Sequence, residues 1–203
     1  MRAGLAQLIA SQPDMVVCFE AESPIAVIPL IARHRPDLLV TDLTMPQGSG
    51  LDLLKEIKAD HPKQRVLVYS MHDETIYAER VLRSGADGYV MKSQGPEPLL
   101  TAIRRILNGQ TFLSEHVWSQ LVTSMRGRRR PQPASPIENL TDREFGVLEL
   151  IGHGKSTREI AAVLQISPKT VDVHRARLRE KLNLPTATAL MRYAIRWTEV
   201  LPA

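Results

Sequence analysis

The first half of the chain alternates short runs of apolar residues with longer stretches in which apolar residues recur every three or four positions. Short β-branched runs are typical of strands in a parallel sheet, and the longer spacing is typical of amphipathic helices. The pattern predicts a doubly wound α/β domain with a parallel sheet. Its predicted strands are 15–20, 37–42, 65–70 and 88–92, and its predicted helices are about 1–11, 24–34, 50–60, 74–84 and 96–108.

The last part of the chain, from about residue 139, shows only the helical spacing. Thr141 is followed three positions later by Glu144, which predicts a capping box at a helix start. Ser167 before Pro168 predicts the start of another helix. The short segment 165–167 would then be the turn of a helix-turn-helix. We predict an all-α domain of four helices.

A connecting segment separates these two parts. Residues 110–125 predict one more amphipathic helix, with Val117, Trp118, Leu121 and Val122 facing inward. The stretch that follows, RGRRRPQPASP, is basic and has three prolines, so it is predicted to be an interdomain linker. The predicted domains are therefore 1–108 and 139–203, joined by 109–138.

The charge of the chain is divided unevenly between its two parts. Residues 1–125 hold 12 Lys and Arg against 14 Asp and Glu, whereas residues 126–203 hold 14 against 8. A nearly neutral first part and a basic second part favour a module that binds a polyanion on the C-terminal side.

The apolar runs are far shorter than the roughly 18 to 20 residues that cross a bilayer, so a membrane span is excluded. The N-terminus lacks the pattern of a signal peptide, which argues against secretion. Cys18 is the only cysteine and lies in the apolar run MVVCFEA, where it is predicted to be a small core residue. These features predict a protein of the reducing cytoplasm.

Polar residues end three of the predicted strands: Asp42, Ser70 and Lys92. In an open parallel sheet the functional crevice lies beyond the carboxyl ends of the strands, so these side chains are candidates for one site. A carboxylate, a hydroxyl and an ammonium group together suit an aspartyl nucleophile that accepts a phosphoryl group. Each residue alone is an ordinary turn or surface residue, so the hypothesis depends on their grouping.

The segments around these residues, LLVTDLTMPQGSGLDLL and VLVYSMHDETIYAERVLRSGADGYVMK, resemble the receiver domain of two-component response regulators. The resemblance covers nearly all of residues 1–108 and implies a flavodoxin-like receiver fold. It also implies that Asp42 is the phosphoacceptor, Ser70 the switch hydroxyl and Lys92 the phosphate-pairing lysine. Tyr89 would be the aromatic residue that reorients on activation, and a sensor histidine kinase would supply the phosphoryl group.

The chain departs from that family at its start. Receivers of this family begin with a strand that ends in two acidic residues, which bind Mg²⁺, whereas here no acidic residue precedes Asp14. Mg²⁺ takes a near-octahedral shell of oxygen ligands, and Asp42 with one carbonyl of the following loop supplies few of them. The resemblance therefore implies Mg²⁺ as a cofactor, with Asp42 as a ligand, while the sequence leaves both the metal site and phosphorylation open.

The same departure predicts that the first receiver strand is missing from the sheet, between 15–20 and 37–42, which would leave unpaired backbone groups. Either the written start lies downstream of the natural one, or the receiver is shortened and is weakened or borrows a partner's strand. The downstream start is favoured because the rest of the domain keeps the sequence pattern of a receiver. An antagonist that pairs with a full-length regulator is a third reading of the same departure.

The third helix of the C-terminal part has the features of a helix that enters the major groove of DNA. Val171, His174, Leu178 and Leu182 share one face, at spacings of three and four, and several basic groups lie on the other faces. Some of these side chains would contact bases and others would hold phosphates.

About 57 residues within 140–196 resemble the LuxR-type DNA-binding domain, through the segments LTDRE, TREIAAVLQIS and KTVDVHRARLREKL. The resemblance implies double-stranded DNA as a partner and a homodimer on DNA, formed through a closing helix at about 186–196. A carboxylate at Asp172 would repel phosphate unless it accepts a hydrogen bond from a cytosine amino group. The implied DNA-facing residues are Thr170, Asp172, Val173, Arg175, Ala176 and Arg177, with Lys155 and Lys169 as phosphate contacts.

Enzyme classes find little support in the sequence. Thr44 stands where a haloacid-dehalogenase-like phosphatase needs a second aspartate, and the six histidines show no HExxH spacing. The sequence predicts a non-enzymatic transcriptional regulator in which phosphorylation of Asp42 controls DNA binding. The alternative is a phosphorylation-independent regulator whose receiver serves only dimerisation or partner binding.

Overall fold

A sheet of three parallel strands organises the N-terminal part of the chain in the computed structural model. The chain divides into two compact units, Met1–Ser114, which contains this sheet, and Glu115–Ala203. The structure describes residues 2–45, 48–125 and 136–200. The elements of the first unit are α1 (Arg2–Ala10), α2 (Pro24–His34), β1 (Leu38–Thr41), β2 (Thr44–Met45), β3 (Gly48–Ser49), α3 (Gly50–Asp60), β4 (Arg65–Ser70), α4 (Glu74–Arg83), β5 (Gly88–Met91), a 3-10 turn (Lys92–Gln94) and α5 (Pro96–Leu107).

The order of the parallel strands is β1-β4-β5, and their register brings the carboxyl ends together. Thr41 lies beside Val68, and Ser70 lies beside Met91. The short strands β2 and β3 form a separate antiparallel pair directly after β1. The parallel α/β fold is thus confirmed, and five helices match the prediction closely because each has a long apolar stripe.

Helix α5 covers one face of the sheet with its apolar stripe. Leu99, Leu100, Ile103 and Ile106 are buried as predicted, and Leu107 is half-buried. The stripe packs against Leu67 of β4 and Val90 of β5. Helix α5 therefore determines which side chains of β4 and β5 are covered on that face of the sheet.

The predicted strand at 15–20 is wrong. The segment is neither strand nor helix, and within the described residues no backbone hydrogen bond joins it to β1. Its side chains alternate between half-buried and exposed, and Val16 is 80% exposed. Cys18 is exposed as well, so its predicted core position is also wrong. A strand needs a hydrogen-bonded neighbour, and β1 has β4 as its single partner strand in the part of the chain that the structure describes.

The second unit is helical throughout its described residues. Its elements are α6 (Glu115–Met125), a 3-10 turn (Pro136–Asn139), α7 (Asp142–Gly152), α8 (Thr157–Val163), α9 (Pro168–Lys181) and α10 (Ala187–Val200). Val117 on α6 is buried as expected, but Trp118 is 54% exposed, so its predicted inward orientation is wrong. The predicted linker lies largely outside the described residues, at 126–135.

Three serine or threonine caps start the helices of the second unit. Thr141 with Glu144 and Ser156 with Glu159 form capping boxes, and the Ser167 side chain accepts a hydrogen bond from Thr170 N. Capping boxes satisfy backbone N–H groups that have no partner within the helix. The predicted starts of α7 and α9 are confirmed, which fixes where the turn before α9 lies. No helix in the described parts of the chain is long and apolar enough to cross a membrane.

An ion pair joins α7 to α9. The Glu144 side chain is almost fully buried, and its Oε2 accepts hydrogen bonds from Lys181 Nζ (2.7 Å) and from Thr141 N (2.8 Å). Burial alone would raise the pKa of this carboxyl, but the hydrogen bonds from Lys181 and Thr141 outweigh it and the pKa is lowered. The carboxylate therefore stabilises the start of α7 and its contact with the end of α9.

Glycine allows α7 and α10 to touch closely. A Cβ added at Gly152 would meet the Thr198 methyl group and lie 2.7 Å from the Ala194 carbonyl oxygen. Gly146, in the same helix, has only Leu164 Cδ2 nearby, at 3.9 Å. The backbones of the two helices can approach only because position 152 has no side chain.

We expect Gly152→Ala to lower the free energy of unfolding of the second unit by about 1–3 kcal/mol, because the added methyl group overpacks the contact. Gly146→Ala is the control, and its higher helix propensity should leave stability unchanged or raise it by up to about 1 kcal/mol. Urea titration followed by tryptophan fluorescence measures this, since both tryptophans lie in the second unit. Equal stability of the two variants would contradict the close contact.

We expect Glu144→Gln to destabilise the second unit near neutral pH by about 1–2 kcal/mol, because it removes the charge that Lys181 pairs with. The folded-state pKa lies below the ordinary value of 4.5, so the carboxylate's contribution is present above that value. It is lost as the pH falls through the folded-state pKa. Unfolding curves of wild type and variant should therefore converge in acid, and a pH-independent difference would refute the charge-based account.

Candidate functional site

The ends of β1 and β5 bring an aspartate and a lysine together. Asp42 follows β1, Lys92 follows β5, and Lys92 Nζ lies 2.6 Å from Asp42 Oδ2. The Lys92 and Asp42 side chains are 12% and 27% exposed, respectively. Because β4 lies between their strands, the lysine side chain reaches across the end of the central strand. The predicted grouping of these two residues is found in the structure.

The ring of Tyr69 lies beside this ion pair. Lys92 Nζ is 5.8 Å from the ring centroid, within the range of a cation–π interaction. Tyr69 pairs in register with Val90, and Lys92 stands two residues later on the same side of its strand. Burial raises the pKa of the Tyr69 hydroxyl, so the ring stays neutral. Tyr69 is not among the predicted site residues.

Ser70 and Tyr89 lie buried next to the ion pair. Ser70 ends β4, and its Oγ is 3.4 Å from the backbone N of His72, which donates to it. The Tyr89 hydroxyl donates to the backbone carbonyl of His72 at 2.8 Å, with its ring fully buried. Burial raises the pKa of Tyr89 far above its usual range, so this hydroxyl remains a hydrogen-bond donor. Both predicted side chains thus contact the same short loop.

Gly50 supports the loop that carries Asp42. Its N–H donates to the Leu43 carbonyl at 2.9 Å. A Cβ at this position would overlap the Asp42 carbonyl oxygen and lie 2.6 Å from Leu43 Cα. Helix α3 can therefore begin directly against the Asp42 backbone. One glycine in a loop sequence carries no signal that distinguishes this contact from an ordinary turn.

The described residues do not by themselves make a magnesium site. They contain no group of three or more His, Cys, Asp and Glu side chains that could hold a metal ion. Asp42 supplies a carboxylate, and one of its oxygens already contacts Lys92. A near-octahedral shell of hard oxygen ligands needs more than this set, so the residues described do not fit Mg²⁺.

The candidate DNA-binding helix is α9, and its buried and exposed faces follow the predicted stripe. Val171, Leu178 and Leu182 are buried, and His174 is half-buried, with burial lowering its pKa. Val173 is 44% exposed and lies opposite that stripe. The other exposed residues of the predicted DNA-facing set are Lys169, Asp172, Ala176 and Arg177.

Three predicted DNA-contacting residues have partners within the protein. The Thr170 hydroxyl lies 2.8 Å from the Ser167 hydroxyl at the start of α9. Lys155 Nζ lies 3.8 Å from Glu159 Oε1, and both side chains are exposed. Arg175 is half-buried and donates through Nη1 to Thr157 Oγ1 at 2.8 Å. The structure thus separates Arg175 from the exposed set.

Comparison with known proteins assigns both units to families. Residues 1–104 match the response regulator receiver domain, and residues 138–194 match the bacterial regulatory proteins of the luxR family. The oxygen regulatory protein NreC of Staphylococcus carnosus is 33% identical over 200 residues, which cover 97% of this chain and 92% of NreC. The structure also resembles solved structures of this kind.

RcsB of Salmonella enterica serovar Typhimurium, bound to promoter rprA in the presence of phosphomimetic BeF3⁻, is 26% identical with a TM-score of 0.67. That likeness covers 95% of this chain and 91% of RcsB. A LuxR-family response regulator from an Aurantimonas species is 30% identical with a TM-score of 0.57, covering 62% of this chain and 89% of the other. The chain therefore belongs to the LuxR-family two-component response regulators, DNA-binding regulators of transcription that join a receiver domain to a helix-turn-helix domain.

Proposed function

We propose that Asp42 accepts a phosphoryl group and that its phosphorylation controls how this response regulator binds DNA. The observation that carries the proposal is the 2.6 Å contact between Lys92 Nζ and Asp42 Oδ2, across the end of the central strand β4. Phosphorylation adds negative charge to the site, and an ammonium group already held there offsets part of that charge.

In the proposed reaction, one carboxylate oxygen of Asp42 attacks the phosphorus atom of a phosphoryl donor, either a sensor histidine kinase or a small acyl phosphate. A new O–P bond forms while the bond to the donor's leaving group breaks, and that group departs with the electron pair. The product is an acyl phosphate on Asp42. Lys92 then pairs with a phosphoryl oxygen instead of the free carboxylate.

Ser70 and Tyr89 would transmit the change. A phosphoryl oxygen on Asp42 would accept a hydrogen bond from the Ser70 hydroxyl, which now accepts one from His72 N. Movement of Ser70 would shift the loop at His72, whose backbone carbonyl accepts the hydrogen bond from the Tyr89 hydroxyl. Loss of that bond frees the tyrosine ring to reorient. The phosphoryl group thus shifts the population by interacting differently with the two states.

The DNA contacts are assigned to the exposed side of α9 and to the start of α8. Val173 and Ala176 offer apolar contacts to base edges, and Asp172 offers an acceptor for a cytosine amino group. Thr170 and Arg177 flank them, while Lys155 and Lys169 supply cations for phosphates. Arg175 is also assigned to DNA. Solved structures of RcsB with DNA support DNA as the partner.

The partners and boundaries are part of the same proposal. We assign the receiver to 1–108, the connecting helix and linker to 109–138, and the DNA-binding domain to 139–203. A homodimer on DNA is supported by a solved structure of two RcsB dimers bound to two parallel DNAs. A sensor histidine kinase follows from the receiver assignment, and a cytoplasmic location follows from DNA as a partner.

A second candidate function shares the DNA-binding unit but lacks phosphorylation. It is favoured by one observation: the described residues contain no group of three or more His, Cys, Asp and Glu side chains that could hold a metal ion. In that case the receiver would serve only dimerisation or partner binding. The two functions differ in what happens at Asp42.

We expect incubation of the 203-residue chain with acetyl phosphate to give a phosphoryl adduct, measured by intact mass, that Asp42→Asn lacks. Parallel samples with Mg²⁺ and with a chelator show whether the reaction needs the metal. A chain that is folded and binds DNA, yet forms no adduct in either sample, supports the phosphorylation-independent function. An adduct that persists in Asp42→Asn would show that another residue is the acceptor.

We expect Lys169→Ala to weaken binding to all duplexes alike and to reduce the slope of log K against log salt concentration by about 0.9, because one phosphate contact is lost. Val173→Ala should leave the slope unchanged and alter the preferred sequence. Lys63→Ala, an exposed lysine of the first unit, is the control. Fluorescence anisotropy with labelled duplexes of different sequence measures both quantities, and a slope in Lys169→Ala as steep as in the control would oppose the assignment.

A further inference from the structure

We infer that Thr157 is a positioning residue for DNA binding: its hydroxyl holds the Arg175 guanidinium where that group pairs with a phosphate of the DNA backbone. The inference rests on the proposed contact between Arg175 and DNA and adds a residue that the sequence analysis did not consider. It also changes the role of Arg175 from one of several groove-facing residues to a phosphate contact.

The two residues join two helices of the helix-turn-helix. Thr157 is the first residue of α8, and Arg175 lies in the middle of α9. Arg175 Nη1 donates to Thr157 Oγ1 at 2.8 Å, and both residues are half-buried. A hydrogen bond at this distance between a charged donor and a hydroxyl is a strong one for a side-chain pair. It fixes the direction of a long side chain that would otherwise sample many rotamers.

The position of Arg175 on α9 excludes it from the exposed face. It stands four residues after Val171 and three before Leu178, both of which are fully buried. Residues at these spacings share one side of a helix, so Arg175 lies at the edge of the inner face, next to α8. Val173, by contrast, lies on the opposite side and is 44% exposed. The guanidinium is therefore directed towards α8, away from the exposed centre of the helix.

The charge of this guanidinium has no opposite charge paired with it among the described residues. Within the described parts of the chain, no carboxylate forms an ion pair with Arg175, including Asp172 one turn earlier. Lys155, by contrast, has Glu159 nearby. Arginine has five N–H donors, and the Thr157 hydroxyl takes one of them. The remaining donors and the unpaired charge suit an anion, and in a DNA-binding domain the anion at hand is a backbone phosphate.

The test compares Thr157→Val, which removes the hydroxyl at nearly constant shape, with Thr157→Ser, which keeps it. Arg175→Met and the double variant Thr157→Val/Arg175→Met complete a double-mutant cycle. The full 203-residue chain is titrated into two labelled duplexes by fluorescence anisotropy at several salt concentrations. One duplex is selected from a random pool by the wild-type chain, and the other is a shuffled sequence of the same composition.

We expect Arg175→Met to weaken binding to both duplexes by the same factor and to lower the salt slope by about 0.9. Thr157→Val should weaken both by about three- to tenfold, the net effect of losing one typical hydrogen bond, because the bond positions the guanidinium and does not itself touch DNA. Thr157→Ser should bind like wild type. In the Arg175→Met background, Thr157→Val should have no further effect, because its only role is exerted through Arg175.

The inference is overturned if Thr157→Val and Thr157→Ser bind alike, if the Thr157→Val effect persists without Arg175, or if the loss is confined to the selected duplex. A normal slope in Arg175→Met, with a reduced slope in Lys169→Ala, refutes the inference and leaves the proposed α9 contacts standing. A normal slope in both variants refutes those contacts as well. Tryptophan fluorescence unfolding of each variant checks that the second unit is folded.

A second measurement does not depend on substituting Thr157. Single phosphates of the selected duplex are replaced in turn by neutral methylphosphonates. Wild type should lose affinity at a phosphate whose replacement has no effect on Arg175→Met. If every phosphate matters equally to wild type and to Arg175→Met, no phosphate is paired with Arg175 and the inference fails.

Discussion

The parallel register of β1, β4 and β5 is the constraint on which the receiver site depends. It aligns three carboxyl ends, so that residues far apart in the sequence meet above the central strand. A shift by one residue would turn Ser70 and Tyr89 to the opposite face of the sheet and carry Lys92 away from Asp42. The ion pair, the buried hydroxyl and the buried tyrosine are therefore consequences of backbone hydrogen bonding and of α5 packing on one face.

Most of the fold could be predicted because its signals are local. Helices such as 24–34 and 50–60 have long apolar stripes, and α7, α8 and α9 begin at side-chain caps. The predictions that were wrong depend on which segments of the chain contact each other. An alternating run such as 15–20 has the composition of a strand, yet strand formation requires a neighbour that the run cannot specify. The amphipathic pattern of α6 likewise does not say which of its apolar residues, Val117 or Trp118, finds a packing partner.

The candidate sites also combine residues that local sequence signals predict with residues that only the three-dimensional structure reveals. Asp42 and Lys92 could be found from the sequence because chemically distinctive side chains directly follow strands of one parallel sheet. Tyr69 and Gly50 could not, since a ring above an ammonium group and a missing Cβ beside a carbonyl are matters of distance. Arg175 was counted with the exposed basic residues because helical spacing alone does not show that its guanidinium is bonded to α8.

The contact at Gly152 limits how α7 and α10 can move relative to each other. Side chains packed between two helices can change rotamer, and these changes allow the helices to slide or rotate by small amounts. At Gly152 the backbone of α7 lies directly against Ala194 and Thr198 of α10, so position 152 contributes no such side chain. At this contact the two helices are therefore expected to move together. A displacement of α10 near Ala194 would also displace the end of α7, where the chain turns towards α8.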